Sequence, residues 1–211
     1  MFKKPVKAAA PSPLGGKEAK KLRAELCKRF VLTEAQLDTF FGAKDNLKVM
    51  KLSEPNSSSV VYLNDEQPYF VDVTGKGVIF PTIYAAWHVP TLLPSLPIQA
   101  PVSKFVVGGA DLMLPGVAIG VEGGPYNTPE ELPEFEKGGG MLVTCLGNPM
   151  PIAVGEMLMS RAEAIQSGMK GKCMRVVHTY RDSLWEFGSQ IAPPGFLSSP
   201  LPSGAWVEMI E

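Results

Sequence analysis

The sequence predicts an α+β chain of two domains, an α/β domain followed by a small closed or partly closed β-barrel. Three observations carry that prediction. Apolar residues recur at a helical period early on, and many short strand-like runs separated by turn residues follow. A proline-rich segment, Thr91–Pro101, divides the chain, and a second Pro/Ser-rich stretch follows residue 190. At 211 residues, the length suits one large or two small domains. A chain of this size buries about 70% of its unfolded surface and needs no metal or disulfide staple.

The first helix is predicted over Gly16–Phe30. Ala19, Leu22, Leu26 and Phe30 form one apolar face, and Lys17, Lys20, Lys21, Arg23 and Lys28 lie largely on the remaining surface. A second helix starts after Thr33, an N-cap with Gln36 as its capping-box partner. Leu32 and Leu37 have staple spacing, and Gly42 is the stop. Strand character follows at Leu47–Leu52, Ser59–Leu63, Tyr69–Val73 and Val78–Phe80, between turn-rich pieces. Pro81–Trp87 reads as a short helix with proline in its first turn.

In the second half, Val102–Val107 and Val117–Val121 read as strands, with Gly108–Gly116 as a tight apolar turn of helix between them. Glu122–Gly140 carries five Glu among clustered Gly and Pro and reads as an acidic surface loop. Met141–Leu146 and Met150–Glu156 are predicted strands around an Asn148-Pro149 turn. Ser160 and Glu163 form a second capping box, opening a helix that stops at Gly168. Lys172–Tyr180 and Leu184–Phe187 read as a closing hairpin around Arg181-Asp182-Ser183.

Composition excludes several classes. The longest uncharged stretch, Gly77–Ser103, holds five prolines, so no transmembrane helix is expected. The lysines of the N-terminus precede no apolar core, so it is not read as a secretory signal. Cys27, Cys145 and Cys173 form no CxxC pair, which fits a reducing compartment. No metal site is expected from two histidines, His88 and His178, without a cysteine cluster. Neither histidine has a nucleophile or carboxylate at a recognisable spacing, so both read as structural and no catalytic residue is assigned. Gly75-Lys76-Gly77 lacks the upstream glycine and following Ser/Thr of a phosphate-binding loop. Gly138-Gly139-Gly140 precedes a strand and does not join strand to helix, so no dinucleotide or other cofactor site is read. Met113, Met157 and Met159 read as core fillers.

Charge carries the chemical signal. The net of −1 conceals a division. Residues 1–51 hold ten Lys and two Arg against five acids, whereas residues 52–211 hold eight basic and sixteen acidic groups. Within that acidic half, Arg161, Lys170, Lys172, Arg175 and Arg181 stand against only Glu163 and Asp182 between residues 160 and 182. The turns bearing Lys170, Lys172, Arg175 and Arg181 are expected to converge beside Gly108–Pro115. Backbone N–H groups at Gly108-Gly109 with Arg and Lys would read a phosphate backbone, not base edges. Close packing of the glycine turn and ordinary solubilising charge fit the same spacing equally.

The residues also carry a resemblance. Lys104–Val117 looks like the opening of a PUA domain, with Gly108-Gly109-Ala110-Asp111-Leu112-Met113-Leu114-Pro115-Gly116 at its centre. Pro151–Gly155, Met159–Glu163, Gly168–Lys172 and Val177–Trp185 continue the pattern in order. Lys20–Glu25, Lys51-Leu52, Phe80–Trp87 and Leu92-Leu93-Pro94 resemble the domain that precedes such a module. The pair, covering roughly residues 1–188, resembles the eukaryotic translation initiation factor 2D (ligatin) family. More distantly it is similar to the malignant T-cell-amplified sequence protein.

The resemblance implies a pre-PUA domain over 1–97, a PUA-like pseudo-barrel over 98–190 and a linker over 191–211. Family members carry further C-terminal domains, so the chain is expected to be an N-terminal fragment. The implied role is non-enzymatic and cytoplasmic. It is binding to the small ribosomal subunit and its rRNA, in support of GTP-independent tRNA placement or removal at the P site, with no membrane or DNA partner. Phosphate contacts are expected from Lys170, Lys172, Arg175 and Arg181, then Lys104 and Arg161. Lys17, Lys20, Lys21 and Arg23 form a second set. A protein-interaction module and an accessory domain of an RNA-modifying enzyme are the alternatives. The acidic insertion at 122–140 is longer than the family pattern.

Overall fold

Local signals set the start of the chain. After short strands β1 (Lys7–Ala8) and β2 (Ser12–Pro13), helix α1 runs over Gly16–Phe30. It buries Leu22, Leu26 and Phe30, one residue per turn along a single face. Its stop is Val31, whose left-handed φ of 53° turns the chain into Thr33. There the capping box forms as expected. The Thr33 hydroxyl accepts from the Gln36 N–H at 3.1 Å, and Gln36 Oε1 accepts from the Thr33 N–H at 2.9 Å, opening α2 (Glu34–Phe41). The computed structural model describes residues 2–42, 46–54, 58–200 and 206–208, the last three and 198–200 as backbone only.

Strands β3 (Leu47–Glu54), β4 (Val60–Asn64), β5 (Gln67–Asp72) and β6 (Ile79–Pro81) form an antiparallel sheet in the order β1-β3-β4-β5-β6, with β2 also pairing β3. Phe70 on β5 meets Phe30, Phe40 and Phe41 at centroid distances of 5.4, 5.5 and 6.0 Å, so both helices share one aromatic core with the sheet. Helix α3 (Ile83–His88) follows, capped by Thr82, whose hydroxyl also donates to the Pro68 carbonyl at 2.7 Å.

The loop between β5 and β6 is organised by one buried carboxylate. Asp72 accepts from the N–H groups of Thr74, Gly75, Gly77 and Val78 at 2.6–3.1 Å. Gly75, at φ 68°, could not carry a side chain, because its Cβ would lie 2.3 Å from the Ser58 carbonyl oxygen. The Gly-Lys-Gly sequence is thus a carboxylate-centred turn.

Residues 2–93 form one compact unit together with Ser183–Gln190, and residues 94–182 with 191 onward form the other. The returning segment is held by its own bonds. Ser183 N–H donates to the Phe2 carbonyl at 3.0 Å, Tyr84 Oη to the Trp185 carbonyl at 2.6 Å, and Gln190 N–H to Tyr84 Oη at 3.0 Å. Leu184–Phe187, expected as a hairpin strand, is instead a run of turns with Leu184 and Trp185 buried. Its apolar alternation serves anchoring, not a ladder.

The second unit is a mixed sheet ordered β7-β9-β10-β11-β8, built from β7 (Ser95–Ile98), β8 (Leu112–Met113), β9 (Gly140–Cys145), β10 (Asn148–Met157) and β11 (Lys172–Thr179). Only the β7–β9 pair is parallel. Three expectations fail here. Val102–Val107 lies in helix α4 (Ala100–Val107), not a strand. Pro101 near the helix start and Ser103, donating to the Ala100 carbonyl at 2.7 Å, outweigh the strand preference of four β-branched or aromatic residues. Val117–Val121 makes only single bridges, Ile98 to Val117 and Ile119 to Tyr126, because Gly120 at φ 63° breaks the pleat. Gly108–Gly116 is likewise not a turn of helix throughout. It holds β8, followed by a 3₁₀ turn over Leu114–Gly116.

Helix α5 (Arg161–Gln166) opens on the expected capping box, with Ser160 N–H donating to Glu163 Oε2 at 2.7 Å. The tail past Ile191 is partly folded onto this unit. Phe196 packs on Tyr180 at 4.7 Å, Asn148 Nδ2 donates to the Leu197 carbonyl at 2.9 Å, and β12 (Leu197–Pro200) pairs with β13 (Trp206–Glu208).

Candidate nucleic-acid interface

The second unit brings together the turn Gly108–Gly116 and the turn leading into β11. Leu114 N–H donates to the Gly171 carbonyl at 2.8 Å, and Met113 stands opposite Lys172 in the β8–β11 ladder. Asp111 fixes the junction from above. One carboxylate oxygen accepts from the Val176 N–H at 3.1 Å, and the other meets Lys172 Nζ at 2.8 Å. The Gly108–Gly116 segment therefore lies against Gly171 and Lys172, and Lys170 and Lys172 are exposed. The N–H groups of Gly108 and Gly109 are not the expected phosphate donors, because they bond the Lys104 and Val106 carbonyls at 3.1 and 2.7 Å and close the helix.

The remaining cations are distributed differently. Arg175 is exposed but forms an ion pair with Glu156 on β10. Arg181 lies beyond the opposite end of β11, about 25 Å of strand from Lys172 at ~3.3 Å per residue. It sits in the left-handed region at φ 65°, over the Tyr180 ring at 5.1 Å. The structure does not gather it with Lys170 and Lys172. Lys104 is exposed on α4, with its ammonium 5.0 Å from the Phe105 ring centroid.

Arg161 has a structural employment. Its guanidinium donates to the carbonyls of Glu130 at 2.9 Å and Leu132 at 2.8 Å, and pairs with Glu134. It binds the acidic insertion to the start of α5. That insertion is not wholly a solvated loop, because Leu132 and Phe135 are buried.

In the first unit, Lys17, Lys20 and Lys21 are exposed on α1. At ~100° per residue they fall within a third of the helix circumference, opposite Leu22, Leu26 and Phe30. Arg23 is not part of that stripe. It reaches sideways to Asp38 at 2.5 Å, Glu34 at 2.9 Å and the Gly42 carbonyl at 3.4 Å. Partial burial opposes its charge, but the bonds to Asp38 and Glu34 outweigh this and hold its pKa above the usual value.

Sequence reasoning missed two features. His178 does have a carboxylate partner. Its Nδ1 lies 2.8 Å from Asp182, which also accepts from the Thr179 N–H at 2.9 Å. The i,i+4 spacing was visible, but a strand reading gives no reason for the chain to fold back at Arg181. His178 is fully buried, so the pair fastens the turn. The second omission is an exposed apolar pair, Phe105 and Met113. Met113 was expected in the core.

Among the described residues no group of three or more His, Cys, Asp or Glu side chains is placed to hold a metal. No described helix is long and apolar enough to cross a membrane. Burial pushes the Cys173 thiol up to about 12, so it carries no nucleophile at neutral pH.

Comparison with known proteins converges on the same two modules. Residues 2–90 match the Pre-PUA-like domain family, and residues 93–183 match the family described as elF2D, PUA domain. The chain is 33% identical over 205 residues to human eukaryotic translation initiation factor 2D, covering 96% of this chain and 33% of the relative. It therefore spans about a third of that relative's length. Translation machinery-associated protein 20 of Saccharomyces cerevisiae is 25% identical over 79% of this chain and 86% of its own. In fold, the chain resembles a hypothetical protein of Pyrococcus horikoshii with TM-score 0.61 and 23% identity, covering 85% of this chain and 99% of that one. A PUA-domain protein of Aeropyrum pernix gives TM-score 0.62 and 22% identity over 86% and 91% of the two chains. A pre-PUA fold, an RNA-binding PUA module and relatives that are translation factors together place this chain in the pre-PUA/PUA family of eukaryotic translation initiation factor 2D.

Proposed function

We propose that this chain binds the small ribosomal subunit through rRNA phosphates, and supports placement or removal of tRNA at the P site without GTP. The observation that carries the reading is the two-module match to initiation factor 2D over nearly the whole chain. The exposed cations fit it. Lys170 and Lys172 flank Gly171 and are exposed, and Lys17, Lys20 and Lys21 form an outward stripe on α1. Arg175 and Arg181 contribute from separate positions on β11 and its end. The protein acts by binding, in the cytoplasm, with no catalytic step of its own.

Sedimentation with purified small subunits across a salt series tests this. Four to six phosphate contacts give a slope of log affinity against log salt of roughly −4 to −5. The Lys170/Lys172/Arg175 triple alanine variant should bind more weakly and with a flatter slope. Absence of binding at low salt, or binding indifferent to salt and to the variant, refutes the reading.

A further inference from the structure

Helix α4 presents an aromatic ring to solvent where the core gains nothing from it. Its inward face is Ala100, Ser103 and Val106, all buried at three-residue steps. Phe105 is off that face and 59% exposed. Leaving most of a phenylalanine in water forgoes the transfer free energy that a core position would gain. Its surroundings are specific. The Lys104 ammonium lies over one face of the ring at 5.0 Å. The Ala110 N–H bonds the Phe105 carbonyl at 2.9 Å, so the chain turns directly into Asp111, which holds Lys172 Nζ at 2.8 Å. Met113 comes next, 47% exposed and opposite Lys172 in the ladder.

Lys104 and Phe105 at the end of α4 thus lead, through the Ala110 turn, to Asp111 with its partner Lys172 and to Met113 opposite Lys172. A surface of cations alone fits the outside of a duplex, whose bases are stacked on each other. A ring beside cations fits an unpaired nucleotide, whose base has a free π-face and whose phosphate needs neutralising. We infer that Phe105 is a base-stacking residue and that this stretch takes unpaired RNA, with Lys104 and Lys172 on the flanking phosphates and Met113 against the neighbouring base or sugar. The inference rests on the proposed RNA-binding reading and narrows its ligand from any phosphate backbone to a single-stranded segment.

The test uses the full chain and two probes of one length, a single-stranded RNA carrying 2-aminopurine and a blunt RNA duplex. Stacking quenches or shifts 2-aminopurine emission on binding. Phe105→Ala should lose that signal and weaken single-strand binding by about 5- to 100-fold, with the salt slope unchanged, because no charge is removed. Phe105→Tyr should restore both, and Phe105→Leu, apolar but not aromatic, should not. Circular dichroism and the thermal midpoint should not move, since the ring is outside the core. Equal losses on duplex and single strand overturn the inference, as does full rescue by Phe105→Leu. Self-association of the wild type that Phe105→Ala abolishes, with RNA binding unchanged, also overturns it and identifies a second copy as the occupant. A wild type that binds neither probe overturns the RNA reading itself, whereas binding that Phe105→Ala leaves intact overturns only the stacking role.

Discussion

Helix α1 and strand β11 are the basic elements of their respective units, yet they hold their charge in opposite ways. On α1, lysine points outward and arginine sideways. Lys17, Lys20 and Lys21 have solvent around them, whereas Arg23 joins the helix to α2 through Asp38 and Glu34. On β11 both exposed cations of the strand face a carboxylate, Lys172 on Asp111 and Arg175 on Glu156. Counting charges along the chain treats these sets as equal. Electrostatically they are not, because a phosphate approaching β11 meets cations that already carry a counter-charge, and one approaching the lysine face of α1 does not. Arginine's rigid fork suits the sideways, multi-acceptor role, and lysine's flexible stem suits the outward one.

The largest effect should come from the helix. Replacing Lys17, Lys20 and Lys21 together by alanine should flatten the salt slope of RNA binding by roughly 3, and cost on the order of 100-fold in affinity at 0.1 M salt. Filter binding across a salt series reads both. A slope unchanged in this variant would place the RNA on the second unit alone and end the comparison.

Arg161 and Arg23 should behave as structure, not as ligands. Arg161→Ala strips the partners from two loop carbonyls and a carboxylate, and should destabilise the second unit by about 2 kcal/mol. Protease cleavage within 122–140 should rise in step, while RNA affinity per folded molecule stays level. Loss of affinity without loss of stability would return Arg161 to the binding set.

That distinction shows what the sequence could and could not disclose. Thr33 with Gln36, and Ser160 with Glu163, are local signals at three-residue spacing, so both helix starts were legible. So was the apolar stripe of α1. Val102–Val107 was not, because valine and phenylalanine favour strands, and it takes the Pro101 start, the Ser103 bond to the Ala100 carbonyl and the burial of Ala100, Ser103 and Val106 together to override that preference. Asp111 was invisible as a site residue, since its partners Lys172 and Val176 lie 61 and 65 positions away. The candidate cations were identifiable by type. Which of them already has a partner depends on contacts between distant segments, such as Arg161 with Glu134, that no local pattern encodes. Phe105 and Met113 were hidden for the converse reason, because an apolar residue reads as core until its neighbours are known.

A smaller effect sharpens the β11 side. Lys172→Ala with Arg175→Ala should weaken RNA binding by about tenfold or less, and flatten the slope by less than the 2 expected of two free cations. Restoring the net charge by Asp111→Asn in the wild type should strengthen binding modestly. It also leaves the Val176 N–H with a neutral acceptor, so its thermal midpoint is measured alongside. If Lys172→Ala and Arg175→Ala cost as much as the helix lysines, the carboxylates do not moderate the strand.

The smallest effect separates the two capping boxes. The first unit closes its box with Gln36, which does not titrate, and the second with Glu163, which does. The Ser160 backbone N–H and hydroxyl hold the Glu163 carboxyl below its ordinary pKa of 4.5. A depressed carboxylate stabilises the fold above its unfolded pKa, and that contribution is lost as pH falls through the folded value. Amide exchange at the start of α5 should therefore accelerate below about pH 4.5, relative to its intrinsic rate, while the start of α2 shows no matching step. Glu163→Gln should keep the cap and remove the step. Parallel pH profiles at the two helix starts would mean that the Ser160 box is not what holds α5 in place.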